Sequence, residues 1–318
     1  MMNAPPAPTI GSPLLIPFDG SPNAEAVLPY VSLLANGAGE RNVVLLQVIP
    51  EAEPVKSPLG DVMLSAESVH QASEAAAHQD LARAAAQLTA MAPDLYIEQV
   101  IETGDAAEQI AFVATRCQAR TIVLSSQGAS AATPGGFGSV IGHVVRTAPV
   151  PVMIVKPGNE TGDDKIVGRL VVAHDGSERA ARVVPMIQDL AKRLEAHIHI
   201  VAVVEDEEST LPVHAAAIDP HLREEAQADA LNAARRRVEA AGAGLMREGL
   251  SASWQILSGP AAAAIIEACA PNDVLAITSH GQSASRWMLG SVAEKVVREC
   301  AVPVILLRTP PEMPGQPS

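Results

Sequence analysis

The chain has 318 residues, of which 48% are hydrophobic but only 2% aromatic, and its formal net charge is -14. This length suits two domains, and cores with so few aromatic residues must be built from aliphatic side chains, as in parallel sheets covered by helices. The negative charge would repel nucleic acid or an anionic membrane surface, so neither is an expected partner. No apolar run approaches the roughly 20 residues that a membrane-spanning helix needs.

The cysteines are Cys117, Cys269 and Cys300, and no two of them have the spacing of a metal site or a redox motif. We therefore expect reduced, buried thiols, as in a cytoplasmic protein. The Pro-rich first residues also lack the apolar core of a signal peptide. His197 and His199 alternate with isoleucines and should lie on one strand face, but no further ligand accompanies them, so no metal site is predicted.

The first half opens with a short aliphatic strand from Leu14 that stops at Asp19. Ser21 can cap the following helix and Pro22 suits its first position, while Pro29 should kink that helix. The chain then predicts a strand over 43–49, a loop over 50–60, one long helix over 66–91, a strand over 95–101 and a helix over 104–118.

A strand, loop, helix and strand complete the half between Thr121 and Val155. Gly128 follows the first of these strands, and Gly138 with Ser139 begins the helix. Glycine lets backbone N–H groups approach an anion closely, and a helix N-terminus presents unpaired N–H groups with partial positive charge. The loop is therefore a candidate phosphate-binding site.

The whole order recurs after a polar, glycine-rich linker, which divides the chain into domains over 13–157 and 169–309. Asp19 and Asp175 are 156 residues apart, and Gly128 and Gly281 are 153 apart. Each half alternates strands with helices, which predicts an α/β fold with two doubly wound, mainly parallel five-stranded sheets, one per repeat. Ligands bind such sheets beyond the carboxyl ends of the strands, where three separated segments of each half should converge.

These residues resemble the universal stress protein family in its tandem, two-domain form, over nearly everything from Leu14 to Arg308. The resemblance implies a Rossmann-like fold of the adenine nucleotide alpha hydrolase-like type. In the ATP-binding branch of the family, an aspartate ending the first strand contacts the nucleoside. A residue ending the second strand contacts adenine through its backbone, and the glycine signature binds the phosphates. By position the implied ATP contacts are Asp19, Val48, Gly128, Gly138 and Ser139 in the first half, and Asp175, Val203, Gly281, Gly290 and Ser291 in the second.

Loop length distinguishes the two halves. Nine residues separate Gly128 from Gly138, as in the family signature, whereas eight separate Gly281 from Gly290. Because a phosphate site depends on where its N–H groups point, we expect the first half to bind better. Ser125 and Thr278 stand where the signature has its first glycine.

Two functions of different class follow. The first is a stress-response protein that binds ATP in at least one domain as a regulatory, non-catalytic ligand; the second is a structural or interaction protein of the same fold that needs no nucleotide. An ATP-hydrolysing enzyme is disfavoured because neither loop supplies a Walker lysine, an evident base or a pair of metal carboxylates.

Other features have simpler interpretations. Asp19 and Asp175 can stabilise their own turns as well as contact a ligand. His174 and His280 are expected to be structural or solvent-facing. The acidic run 205–208 is expected to be a solvated loop, which alternatively opposes an incoming triphosphate, and Arg235–Arg237 a solvated helix face. The aliphatic strands 150–155 and 302–307 would be prone to aggregate if exposed, so we expect them to pair within the chain, with a further homodimer left open.

Overall fold

The computed structural model describes residues 11–36, 41–128, 138–158, 167–175, 180, 182–204, 220–278 and 289–308. The chain divides into two compact units, Met1–Glu160 and Thr161–Ser318. The predicted domain limits lie inside these two units.

The first unit contains a parallel sheet with helices packed on it. In chain order its described elements are β1 (Leu14–Pro17), α1 (Pro22–Glu25), α2 (Leu28–Asn36), β2 (Asn42–Ile49), β3 (Val55–Lys56), β4 (Val62–Leu64), α3 (Ala66–Met91), β5 (Tyr96–Thr103), α4 (Ala106–Arg116), β6 (Thr121–Ser125), α5 (Ser139–Thr147) and β7 (Val152–Val155). The strand order is β7-β6-β1-β2-β5, with every pair parallel. The order of the strands therefore reverses between β1 and β6, as in a doubly wound sheet.

The second unit repeats this arrangement. Its described elements are β8 (Arg169–Ala173), α6 (Val184–Leu194), β9 (His197–Val204), α7 (Pro220–Arg247), β10 (Ala252–Ser258), α8 (Ala261–Glu267), β11 (Val274–Thr278), α9 (Ser291–Glu299) and β12 (Val304–Leu307). The order β12-β11-β8-β9-β10 is again fully parallel. Its reversal lies between β8 and β11, so the predicted doubly wound α/β fold is confirmed in both halves.

Aliphatic strands form the core of each unit. In β6, Ile122 and Val123 are fully buried, and in β11 the same holds for Val274 and Leu275. Strands covered by helices on both faces need continuous apolar runs, because neither face meets water. This explains why cores with hardly any aromatic residues can form here.

The first helix of the first half is broken into two. The α1 helix ends at Glu25 and α2 begins at Leu28, so the expectation of one kinked helix is wrong. Pro29 is the second residue of α2, and Pro185 likewise is the second residue of α6. A proline in the first turn removes an N–H that has no helical acceptor anyway, so the helix can begin there without strain.

The segment predicted as a loop over 50–60 contains a strand. The β3 strand pairs antiparallel with β4, with Val55 opposite Leu64, and the Ser57 hydroxyl accepts hydrogen bonds from the N–H groups of Leu59 and Asp61 in the turn. All side chains of both strands are exposed. Because no face is buried, the hairpin lacks the alternating apolar pattern by which strands are predicted.

Candidate functional site

The turn after β1 fixes the carboxylate of Asp19. Its Oδ1 accepts hydrogen bonds from the backbone N–H of Ser21 at 3.1 Å and from the Ser21 hydroxyl at 2.6 Å. The same Ser21 oxygen accepts a bond from the N–H of Ala24 at 3.2 Å and so caps α1. Asp19 therefore stabilises its own turn, as predicted, and the cap holds its carboxylate in one orientation.

Arg83 of α3 stabilises this turn through hydrogen bonds and an ion pair. Its guanidinium donates to the carbonyl oxygen of Gly20 at 3.1 Å and to the Glu25 carboxylate at 3.3 Å, and it pairs with Asp80 at 3.0 Å. Nothing in the sequence marks Arg83 for this role. An arginine in an alanine-rich helix indicates an exposed position, and only the tertiary fold shows that it reaches the turn next to Asp19.

The loop after β6 approaches Asp19 closely. The Ser125 hydroxyl donates to the carbonyl oxygen of Gln127 at 3.0 Å and accepts from the Gln127 N–H at 3.3 Å, which closes a local turn. Next in the chain is Gly128, where a Cβ atom would lie 2.5 Å from Asp19 Oδ2. A glycine is therefore required at residue 128 for this carboxylate to keep its position.

The N-terminus of α5 faces the same region. Gly138 is its N-cap residue, with φ -59° and ψ 146°, and no side chain caps the helix among the residues that the structure describes. The first helical bond runs from the N–H of Gly142 to the carbonyl oxygen of Gly138 at 3.0 Å. The backbone N–H groups of the first turn precede that bond, so they have no acceptor within the helix and favour an anion.

A cavity of about 160 Å³ lies between these segments. It is lined by all five residues expected to contact a nucleotide in the first half, namely Asp19, Val48, Gly128, Gly138 and Ser139. Its walls are mostly aliphatic, and Leu46 and Ile110 are two of the apolar side chains. The predicted convergence of three separated segments at the carboxyl ends of the strands is thus what the first unit shows.

The second unit has a corresponding cavity of about 260 Å³. Four of its five predicted residues line it, namely Asp175, Val203, Gly290 and Ser291. Gly281, His280 and the acidic run 205–208 lie outside the described residues. Gly290 caps α9 with φ -63° and ψ 145°, nearly the same backbone conformation as Gly138. Both helices therefore begin in the same way despite the different loop lengths.

His174 distinguishes the second cavity from the first. It occupies the place of Phe18, 156 residues earlier, and is only 8% exposed. Its backbone N–H donates to the carbonyl oxygen of Val201 at 2.9 Å. Burial lowers the pKa of the imidazole below its ordinary value, and the neighbouring Asp175 opposes that shift only partly. A neutral, buried histidine agrees with the structural role expected for it.

Neither cavity has a lysine or arginine among its described lining residues. In the described part of the chain, no cluster of three or more His, Cys, Asp or Glu side chains could hold a metal ion. His197 and His199 both bond to the Ser253 hydroxyl, at 2.7 and 2.9 Å, so they share one face of β9 as predicted. Arg235–Arg237 are exposed on α7, also as predicted.

Each unit is therefore an α/β domain with a crevice at the reversal point of a doubly wound sheet, where proteins of this class bind nucleotides and other ligands. The model of the universal stress protein family matches residues 12–156 and again residues 167–308, so the chain belongs to this family in a tandem form.

Solved structures agree with the fold. A universal stress protein from Archaeoglobus fulgidus DSM 4304 is 22% identical with a TM-score of 0.67, and the match covers 95% of this chain and 100% of that one. A functionally unknown protein from Pseudomonas aeruginosa PAO1 is 16% identical with a TM-score of 0.64, covering 95% and 93%. No curated protein sequence matches the chain significantly.

None of the described helices has the length and apolar character needed to cross a membrane.

Proposed function

We propose that this stress-response protein binds ATP in the cavity of its first unit, as a regulatory ligand that is held and not turned over. One observation carries the proposal. Residues from three segments far apart in sequence, each in the place of a nucleotide contact of the family, line a single cavity.

Each part of the cavity suits one part of the nucleotide. The aliphatic walls at Leu46 and Ile110 would contact the adenine ring, whose edge would meet the backbone at Val48. The Oδ2 atom of Asp19 points toward Gly128 and is the acceptor for a ribose hydroxyl. The phosphates would follow over Gly128 to the N–H groups at the start of α5, where the helix dipole stabilises negative charge.

The same residues give no means of rapid hydrolysis. Phosphoryl transfer needs positive charge at the γ-phosphate and a positioned nucleophile, and no described lining residue of the first cavity supplies a cation or a histidine. Backbone N–H groups and a serine hydroxyl hold the bound substrate as well as the transition state, and uniform binding of that kind does not accelerate chemistry. We therefore infer that conformation or partner binding, and not product formation, is the output.

A second candidate function is an interaction protein that needs no nucleotide. Its specific support is that the Asp19 turn is complete without a ligand, since both Ser21 donors already bond to Oδ1. Small-molecule sites usually have volumes of about 300–1,000 Å³. The cavity of about 160 Å³ is smaller, so it would enclose a nucleotide only partly.

The experiment that separates the two begins with mass spectrometry of small molecules released from freshly purified protein. ATP is then titrated while the melting temperature is measured, because a ligand that binds only the folded state stabilises it by mass action. ATP binding predicts a concentration-dependent rise, and the interaction protein predicts none. A phosphate-release assay on the same preparation should give a rate near background. Turnover on the order of 1 per second or faster would contradict the non-catalytic proposal.

We also infer an intramolecular pair of the two units through the last strand of each, as the resemblance implies. The tandem family match supports such a pair. Disulfide trapping tests it: paired cysteines at Val152 and Val304 should cross-link within one chain, and cross-links only between chains would indicate a homodimer.

A further inference from the structure

Two cysteines of the second unit meet although they are far apart in sequence. Cys269 follows α8, and its thiol donates to the carbonyl oxygen of Ile265 at 3.4 Å. Cys300 is the C-cap residue of α9 and is only 1% exposed. The side chains of Cys269 and Cys300 are hydrogen-bonded to each other, and neither cysteine is part of a disulfide. Their separation of 31 residues in the sequence gives no sign of this contact.

The strands that follow explain why the two thiols meet. Cys269 precedes β11 and Cys300 precedes β12, and these strands are parallel neighbours with Leu275 opposite Val304. The N–H of Leu275 donates to the carbonyl oxygen of Pro303 at 2.9 Å, which fixes the start of the pairing. The preceding helices α8 and α9 also pack on each other. Both the sheet and the helix layer therefore hold the two thiols together.

We propose that Cys269 and Cys300 form an oxidisable dithiol that closes to an intrachain disulfide in the second unit. The site is independent of nucleotide binding, because both residues lie at the amino-terminal ends of β11 and β12, opposite the end that carries the second cavity. Its reactant is a peroxide or another two-electron thiol oxidant.

The chemistry proceeds in two balanced steps. The half-buried Cys269 is the sulfur that an oxidant can reach; it attacks one oxygen of hydrogen peroxide, forming a sulfenic acid and releasing one water. The buried Cys300 sulfur then attacks the Cys269 sulfur, forms the S–S bond and releases the second water. Two thiols lose two protons and two electrons, and one peroxide becomes two water molecules. Cys300 is thus the resolving residue.

Local charge and burial control the rate at which Cys269 is oxidised in the first step. The Cys300 side chain, burial and the Asp273 carboxylate raise the pKa of the Cys269 thiol, while the Arg169 guanidinium has the opposite but smaller effect. Since the thiolate is the nucleophile, the pair should oxidise slowly at neutral pH.

The disulfide would connect two helices that line the second cavity. Ala261 and Ile265 of α8 and Ser291 of α9 all belong to its lining. A bond between the C-terminal ends of α8 and α9 would restrict their relative movement. Oxidation should therefore raise the thermal stability of the second unit, because a cross-link between residues 269 and 300 also restricts the unfolded chain.

The test uses the reduced full-length chain, treated with excess hydrogen peroxide and then alkylated with N-ethylmaleimide under denaturing conditions. The expected product carries one alkyl group, at Cys117, and digestion yields a peptide pair joined through Cys269 and Cys300. Three alkyl groups, or a sulfinic acid at Cys269 without any cross-link, would overturn the proposal. The same oxidation of the urea-unfolded chain is the control, and there the preference for this pair should disappear.

Two variants sharpen the result. The oxidised C117S variant should take up no alkyl group, and it should form the same cross-link between Cys269 and Cys300. C300A removes the resolving thiol, so the Cys269 sulfenic acid should persist and react with dimedone. If C300A does not fold, peptide mapping of the wild-type chain still decides the question, and an interchain disulfide on a non-reducing gel in place of the intrachain one would count against the proposal.

Discussion

The carboxylate of Asp19 lies directly over Gly128, so that a single methyl group at residue 128 would come within 2.5 Å of Oδ2. We expect Gly128→Ala to displace this carboxylate and remove most of the ATP-dependent rise in melting temperature. The measurement is a thermal-shift titration with ATP. Gly168→Ala in the second unit is the control, since its Cβ would be 3.4 Å or more from every neighbour and residue 168 does not line the first cavity. Unchanged ATP binding by Gly128→Ala would show that the Asp19 carboxylate does not contact the nucleotide.

The two helix N-caps allow a matched comparison of the cavities. Gly138 and Gly290 have nearly identical backbone angles that any residue can adopt, so leucine at either position should leave the fold intact. Each side chain would cover the first N–H groups of its helix. We expect Gly138→Leu to abolish the thermal shift produced by ATP and Gly290→Leu to preserve it. The reverse result would mean that loop length does not decide which cavity binds.

Gly242 and Gly244 of α7 should respond oppositely to alanine. A Cβ at Gly242 would lie 2.6 Å from the ring of Trp254, whereas one at Gly244 would meet only a flexible guanidinium at 3.9 Å. Alanine normally stabilises a helix by about 0.5–1 kcal/mol relative to glycine. We expect that gain for Gly244→Ala and a net loss of about 1–3 kcal/mol for Gly242→Ala from overpacking. Urea unfolding followed by tryptophan fluorescence reports both, because both tryptophans are in the second half. Equal stabilisation by both substitutions would contradict the close contact.

An ion pair with a buried carboxylate should contribute to the stability of the second unit. The Asp273 side chain is 3% exposed and accepts bonds from the Arg169 guanidinium, the shortest at 2.6 Å. The Arg169 side chain is 35% exposed, and Asp273 also accepts a bond from the N–H of Ala270 at 2.7 Å, so we expect Arg169→Ala to cost about 1–3 kcal/mol of unfolding free energy. Arg298→Ala is the control: its pair with Glu294 is more than half exposed on both sides, so its loss should cost about 0–1 kcal/mol. Similar urea midpoints for the two variants would disprove the difference.

His174 should make the second unit less stable in acid. Burial lowers the pKa of its imidazole in the folded state, so below about 6.5, the ordinary value, the unfolded chain binds more protons. The free energy of unfolding should therefore fall as the pH decreases from about 6.5 toward the folded-state pKa. His174→Gln should reduce this slope. His199, whose pKa is lowered mainly by burial, should account for part of what is left. An unchanged slope in a variant that combines His174→Gln with His199→Gln would assign the acid sensitivity to other groups.

Local and repeated features of the fold were readable from the sequence. The helix Ala66–Met91 was predicted with its observed limits, because alanine-rich helical spacing and a following proline are local signals. The duplication was visible because aspartates and glycines recur at nearly constant intervals. Repetition then predicted the doubly wound sheet of each half, since short-range order and the handedness of crossovers leave few alternatives. The convergence of Asp19, Val48 and Gly128 followed from the same topology.

Contacts between distant segments depended on the tertiary structure. Cys269 and Cys300 have no redox spacing in the sequence, and the pairing of β11 with β12 brings their two segments together. The local ion pair of Arg83 with Asp80 gives no sign of its bond to Gly20, because the helix and the turn are far apart in sequence. The hairpin at Val55 has no buried face and so carries no apolar period. Periodicity records which face of an element is buried, whereas the identity of the neighbours is decided by packing across the whole domain.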